Sequence, residues 1–369
     1  MREYLLIAFT SIAVTYLLAG LARRLAFRFN AVAMPRKRDV HTRPIPYFGG
    51  LAMLFGVAAG FNLAVHLPWL SSFALVTHDA LAIVLGAIVI CVVGLIDDVV
   101  ELGALAKIAG QLLAAGVMVL FGVRLFWLPI PGIAFGMDTS LSIFFTVFIV
   151  LLCTNAVNLV DGLDGLASGI VAIGSAAFFT YAYILSYEYE IARATTASVI
   201  TIVTMGVCIG FLPWNVHRAR MFMGDSGSLL LGYLMAASMI SFTGQLDPSQ
   251  ITRTGTGMLS TYLPLLVPVG AMALPLLDLV LAYVRRTVKG KLWFEADKEH
   301  LHHRILRLGH GQLGAVNLMW LWAAIGSFGV VAAGLFPSPW TFAGIAAAIA
   351  LAAYLTWGRR HRANRAGKK

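Results

Sequence analysis

Charged side chains are scarce: Lys, Arg, Asp and Glu make up 12% of the chain, against 59% hydrophobic residues and a mean hydropathy of +0.84. So few charges cannot cover the apolar remainder in water, which excludes an ordinary soluble domain and places the chain in a bilayer. Cysteine is almost absent. Cys91, Cys153 and Cys208 lie singly within apolar runs, an odd number at no metal-binding spacing, which excludes a disulfide framework and thiolate–zinc chemistry. The chain has no internal repeat, no low-complexity segment apart from a basic tail at 358–369, and no soluble basic module or stacking platform, which argues against nucleic-acid binding.

What is abundant is apolar sequence in lengths that suit a membrane. A hydrocarbon core about 30 Å thick needs roughly 20 helical residues. Eleven stretches meet that need approximately: 3–22, 49–67, 79–96, 106–122, 140–157, 166–186, 192–213, 226–243, 259–284, 315–335 and 340–357. The pattern predicts an all-α, polytopic membrane protein of one domain over 1–369. No small-residue cleavage site follows the first stretch, which runs into Arg23-Arg24 and reads as a retained span.

Basic residues are confined to one set of connectors. Segments 23–48, 97–107, 214–225, 285–314 and 358–369 hold 23 of the 27 Lys and Arg residues. Basic loops stay cytoplasmic, so an odd number of spans puts the N-terminus outside and the C-terminus inside. Topology and attraction to anionic lipid account for most of this charge.

On that same face the apolar runs end in polar clusters. Carboxylates beside hydrocarbon are costly without compensation, and acids grouped with amides but no thiolate suit a hard cation such as Mg²⁺. Asp97 and Asp98 close the third stretch; adjacent acids in low dielectric repel, which makes them a metal site or a general base. Lys107 opens the next stretch, within reach of a phosphate. The strongest signal is the ladder Asn155, Asn158, Asp161, Asp164, where three-residue spacing on a helix keeps the last three within about a 120° sector; Gly162 and Gly165 permit a bend or a close ligand. Asp225 and Ser226, after Phe222 and Met223-Gly224, stand at a helix start whose free N–H groups suit an anion or a carboxylate.

A long connector carries His300, His302, His303 and Arg304, which can bind metal, donate to phosphate or carry protons. The turn-rich segment Lys37–Gly50, with His41 and Arg43, can cover an anionic ligand. Asp278, late in the ninth stretch, either serves function or pairs with a neighbouring arginine.

In order, Ile-Asp-Asp, Asn-Ala-Val-Asn-x-x-Asp-Gly-Leu-Asp-Gly, Phe-Met-Gly-Asp-Ser-Gly-Ser and His-Leu-His-His-Arg resemble the polyprenyl-phosphate N-acetylhexosamine-1-phosphate transferases over residues 35 to 310. The last motif is similar to the WecA-type branch; the muramoyl-pentapeptide branch shows three consecutive histidines, which Leu301 interrupts here. The resemblance implies transfer of a sugar 1-phosphate, N-acetylglucosamine by branch, from a UDP-N-acetylhexosamine to polyprenyl phosphate at the cytoplasmic face of the plasma membrane, with release of UMP. It implies Mg²⁺, with Mn²⁺ able to substitute, held by Asn158 and Asp225. Asp97 or Asp98 deprotonates or orients the lipid phosphate, and Asp161 is a further acid of the site. Lys107 and Arg304 lie on the pyrophosphate, Gly162, Asp164 and Phe222 around uracil, and His302 and His303 on phosphate or sugar, with Asn155 and His300 among the substrate-binding positions. A homodimer is compatible with the family. No carboxylate stands apart as a nucleophile, which favours direct attack.

Two other classes meet parts of the pattern. An ion-coupled transporter uses intramembrane acids, but at the midplane and with inverted repeats. An intramembrane serine protease would use Ser226, which sits in a G-x-S-G string.

Overall fold

A computed structural model describes all residues except 34–43, 131–132, 189, 245–257, 291–299 and 367–369, and describes no side chains at 128–130, 133–135, 258–261 and 358–366. The basic and turn residues Lys37–Arg43, the run Asp297–Glu299 and the side chains of the basic tail therefore lie outside the described residues.

Each apolar stretch forms helix: α1 (Arg2–Arg28), α2 (Gly49–Ala64), α3 (Ala74–Val100), α4 (Ala104–Leu120), α5 (Thr139–Val160), α6 (Leu166–Glu188), α7 (Ala192–Asn215), α8 (Gly224–Thr243), α9 (Met258–Ala271), α10 (Ala273–Val288), α12 (Gln312–Leu335) and α13 (Pro339–Ala366), with a short α11 (Leu301–Arg307) in the long connector. Eight of them are long and apolar enough to cross a membrane. The helices α2 and α4, at 16 and 17 residues, are shorter. Two small antiparallel ladders supplement the helices: β1 (Val32–Ala33) with β2 (Ile45–Pro46), and β3 (Trp127–Ile130) with β4 (Ile133–Gly136).

The ninth stretch is not one straight span. The helices α9 and α10 meet at Met272 with a bend of 74°. Prolines explain the break: Pro275 has no N–H to give the Ala271 carbonyl, and its ring excludes that carbonyl from the usual helical position. One turn earlier Pro268 leaves the Pro264 carbonyl without its helical donor, and the Thr243 hydroxyl donates to it at 2.5 Å. The freed Pro264 carbonyl is thus satisfied inside protein, as hydrocarbon demands.

At the centre stands α8, almost wholly buried, with α3, α5, α7 and α2 packed around it. Small residues allow the approach. A side chain at Gly94 of α3 or at Gly50 of α2 would collide with the backbone of Ser226 or Gly227, and one at Gly232 of α8 with Thr154 of α5. These contacts fix the N-terminal end of α8 against the C-terminal end of α3 and the start of α2, and that end carries the chemistry.

Candidate active site

Two adjacent acids of α3 have separate tasks. Asp98 turns toward α8, where its Oδ1 accepts the Asp225 backbone N–H at 2.7 Å and its Oδ2 accepts the Ser226 hydroxyl at 2.8 Å and the Ser226 N–H at 3.3 Å. The residue preceding α8, Met223, has no side chain able to cap, so Asp98 does from another helix what an N-cap does from its own. Gly224 makes room: its φ is +70°, and a Cβ there would strike the Asp98 carboxylate.

Asp97 turns the other way. Its Oδ1 accepts the Leu102 N–H at 2.7 Å, closing the tight link between α3 and α4, and its Oδ2 lies 2.5 Å from Lys107 Nζ. The same ammonium donates to Asp225 Oδ2 at 2.7 Å. Asn158, in the last turn of α5, donates from Nδ2 to Asp225 Oδ1 at 3.0 Å and to Ser228 Oγ at 2.9 Å. Four helices thus bring Asp97, Lys107, Asn158 and Asp225 into one bonded cluster at one end of the bundle.

The polar ladder does not continue along α5. The helix stops at Val160, and Asp161 has φ −73° and ψ 56°, so the common sector predicted for Asn158, Asp161 and Asp164 ends with Asn158. Asp164 is buried, with its carboxylate accepting the Ala219 N–H at 3.1 Å. Asp161 stays near the cluster. Burial, reinforced by the charges of Asp225, Asp98 and Asp164, pushes its carboxyl up to about 8.

The histidine connector returns to this loop. His302 Nε2 lies over Gly162, 2.5 Å from where a Cβ would stand, and the His302 and His303 rings are 4.2 Å apart between centroids. His302 is buried, and burial, with the neighbouring His303, pulls its ring down to about 4. At neutral pH it is an uncharged hydrogen-bonding group. Asp278 is engaged by the connector: His300 Nδ1 is 3.1 Å from Oδ2, and the Leu301 N–H donates to Oδ1 at 2.9 Å. That carboxylate anchors the start of α11.

Other expected residues stand further off. Asn155, one turn deeper than Asn158, donates to Gln111 Oε1 at 2.9 Å and to the Leu151 carbonyl at 2.7 Å. Arg304 lines a separate cavity beside α12. Phe222 packs near Tyr47, with centroids 6.0 Å apart, and its segment pairs by backbone with the start of α2: Phe222 N–H to Pro46, and Gly49 and Gly50 N–H to Phe222 and Met223.

Two supporting residues, Gln111 and Asn215, have no local signature. Gln111 shows only as an amide one turn beyond Lys107 in an apolar helix. Asn215 accepts the Gly165 N–H and donates to the Met221 carbonyl, joining two of the motif loops. Ser226 is buried with its hydroxyl donating to Asp98, an arrangement without a histidine base and unlike a protease nucleophile.

The cluster's chemistry fits a hard divalent cation. Its donors are carboxylate and amide oxygens, the Asn158 Oδ1 is left over once Nδ2 has donated, and two acids, Asp97 and Asp225, share one lysine. Burial first, and then the charges of Asp225, Asp98 and Asp164, disfavour ionisation of Asp161, and a cation beside it would favour the ionised form. Among the described residues no group of three His, Cys, Asp or Glu side chains is placed to hold a metal ion.

Residues 80–243, which contain all four members of the cluster, match the model of glycosyl transferase family 4. A protein named decaprenyl-phosphate N-acetylglucosaminephosphotransferase from Mycobacterium tuberculosis (strain ATCC 25618 / H37Rv) is 39% identical over 96% of this chain and 89% of its own length. The chain belongs to glycosyl transferase family 4. A second family member of the same name, from Mycobacterium leprae, is 42% identical over 89% of this chain and 83% of its own. A Bacillus subtilis protein named probable undecaprenyl-phosphate N-acetylglucosaminyl 1-phosphate transferase is 30% identical over 84% and 79%.

Proposed function

We propose that this family member transfers N-acetylglucosamine 1-phosphate from UDP-N-acetylglucosamine to a polyprenyl phosphate, releasing UMP and starting a cell-envelope polysaccharide. The observation that carries the reading is the Lys107 ammonium held between Asp97 and Asp225, with Asn158 on the second acid, at one end of an apolar helical bundle. A water-borne nucleotide and a membrane-borne phosphate can meet only at such an end. The names of the three relatives specify the polyprenyl acceptor and the sugar.

In this reading the bent pair α9–α10 is one span and α2 and α4 are short spans, giving eleven. The basic connectors put the cluster on the cytoplasmic face of the plasma membrane, the N-terminus outside and the C-terminus inside.

The reaction joins an acceptor phosphate oxygen to the β-phosphorus of the donor as the bond from that phosphorus to the UMP oxygen breaks. The acceptor is already anionic near neutral pH, so positioning and charge neutralisation matter more than proton removal. Asp97 orients the acceptor through Lys107, whose ammonium exchanges a carboxylate for a phosphate oxygen when substrate enters. Asp98 is a positioning residue: by capping α8 it aims Asp225. Neutral His302, braced on Gly162, donates to the donor's sugar or phosphate. Asn158 and Asp225 are the residues to hold Mg²⁺, which when bound withdraws charge from the pyrophosphate and stabilises departing UMP.

The test is a screen of UDP-sugars against polyprenyl phosphate with the purified chain, scored by lipid product mass. UDP-N-acetylglucosamine is expected to give the largest yield; a larger yield from UDP-N-acetylmuramoyl-pentapeptide or UDP-N-acetylgalactosamine would reassign the donor.

A further inference from the structure

A cavity of about 870 Å³ opens between α10, α11, α12 and α13. Its walls are apolar, with Leu274 and Leu277 from α10, Ile305 from α11, and Met319 and Trp322 from α12. Two cations of α11, Arg304 and Arg307, border it, whereas Asp97, Lys107, Asn158 and Asp225 do not. The cavity also reaches Thr356 and Trp357, where the apolar window of α13 ends, so it lies where hydrocarbon gives way to water.

Hydrogen bonds hold this chamber open. Trp322 Nε1 donates to Thr356 Oγ1 at 3.1 Å, and His310 Nε2 lies 3.0 Å from the Thr356 carbonyl. These set the spacing of α13 from α12. The acid of α10, Asp278, is committed to His300 and Leu301, and among the described residues no carboxylate pairs with Arg304 or Arg307.

We propose that this cavity binds an anionic phospholipid of the bilayer, with its phosphodiester between Arg304 and Arg307 and an acyl chain along Leu274, Leu277 and Met319. Basic pockets between membrane helices at the cytoplasmic side recognise anionic head groups, guanidinium groups match phosphate geometry, and the apolar walls match an acyl chain and no water-soluble anion. One side of α11 faces this chamber while His302 on the same helix covers Gly162. A bound lipid therefore steadies the element that delivers His302.

Native mass spectrometry of the full chain, released from mixed micelles of phosphatidylglycerol or phosphatidylcholine, tests the site. One phosphatidylglycerol is expected to be retained per chain in preference to phosphatidylcholine. Arg307→Gln is expected to weaken retention about fivefold, which is what ~1 kcal/mol per basic residue amounts to. Leu277→Trp, which fills the chamber and leaves its charge unchanged, is expected to weaken it as well. Equal retention of the two lipids, or unchanged retention in both variants, would overturn the proposal. Displacement of phosphatidylglycerol by an equimolar polyprenyl phosphate would also overturn it, assigning the chamber to the acceptor.

Discussion

Asp98 accepts the backbone N–H of Asp225 at 2.7 Å across 127 positions of sequence. The acid that sits beside Asp97 in the chain is thereby part of the framework of α8. Asp98→Ala is expected to remove that cap and leave buried N–H groups unmet, at about 1–3 kcal/mol. Thermal unfolding of purified protein in detergent should show a midpoint several degrees lower. An unchanged midpoint would return Asp98 to a purely chemical role.

Removing the charges that meet at Lys107 should damage turnover more than folding. For Asp225→Ala and Lys107→Met, UMP release is expected to fall by about 10²-fold or more, the scale of losing one preorganised electrostatic group. Near-normal rates in folded variants would contradict the assignment.

Cation binding has a readout of its own. The Asp161 carboxyl, pushed up to about 8, is mostly protonated at pH 7, and a divalent cation beside it favours the ionised form. Mg²⁺ binding at pH 7 should therefore release a fraction of a proton, seen as a buffer-dependent heat in calorimetry, and Asp161→Asn should abolish that release. Chelation should also stop turnover, with Mg²⁺ or Mn²⁺ restoring it. Undiminished turnover without divalent metal would reject the cation.

His302 makes stability depend on acid. Its ring titrates at about 4 in the fold and near 6.5 when unfolded. Between those values only the unfolded chain binds the proton, so the contribution is complete above pH 6.5 and is lost as pH falls toward 4, at most roughly 3 kcal/mol. The unfolding midpoint of the native protein should drop from pH 7 to pH 5 by more than that of His302→Gln. Equal drops would place the burial of this ring in doubt.

The helices were legible because apolar length and polar ends are local properties: every stretch read from the sequence contains helix, and the motif residues Asp97, Lys107, Asn158 and Asp225 converge. The directions of side chains were not. Asp97 and Asp98 look alike in sequence, and only the packing of Gly94 against Ser226 decides which one caps α8. The end of α5 at Val160 broke a spacing argument that assumed continuous helix. The bend at Met272 was foreshadowed by Pro264, Pro268 and Pro275, which hydropathy averaging passes over. Pairing of Phe222 with Pro46 and of Asn155 with Gln111 joins residues far apart in the chain, beyond the reach of any local pattern.

The most direct test follows the phosphorus. With UDP-N-acetylglucosamine labelled at the β-phosphate, the purified chain and polyprenyl phosphate should yield a lipid carrying both the sugar and the label, together with unlabelled UMP. Transfer of the sugar alone, with the label left in UDP, would contradict a site built to neutralise a pyrophosphate under attack.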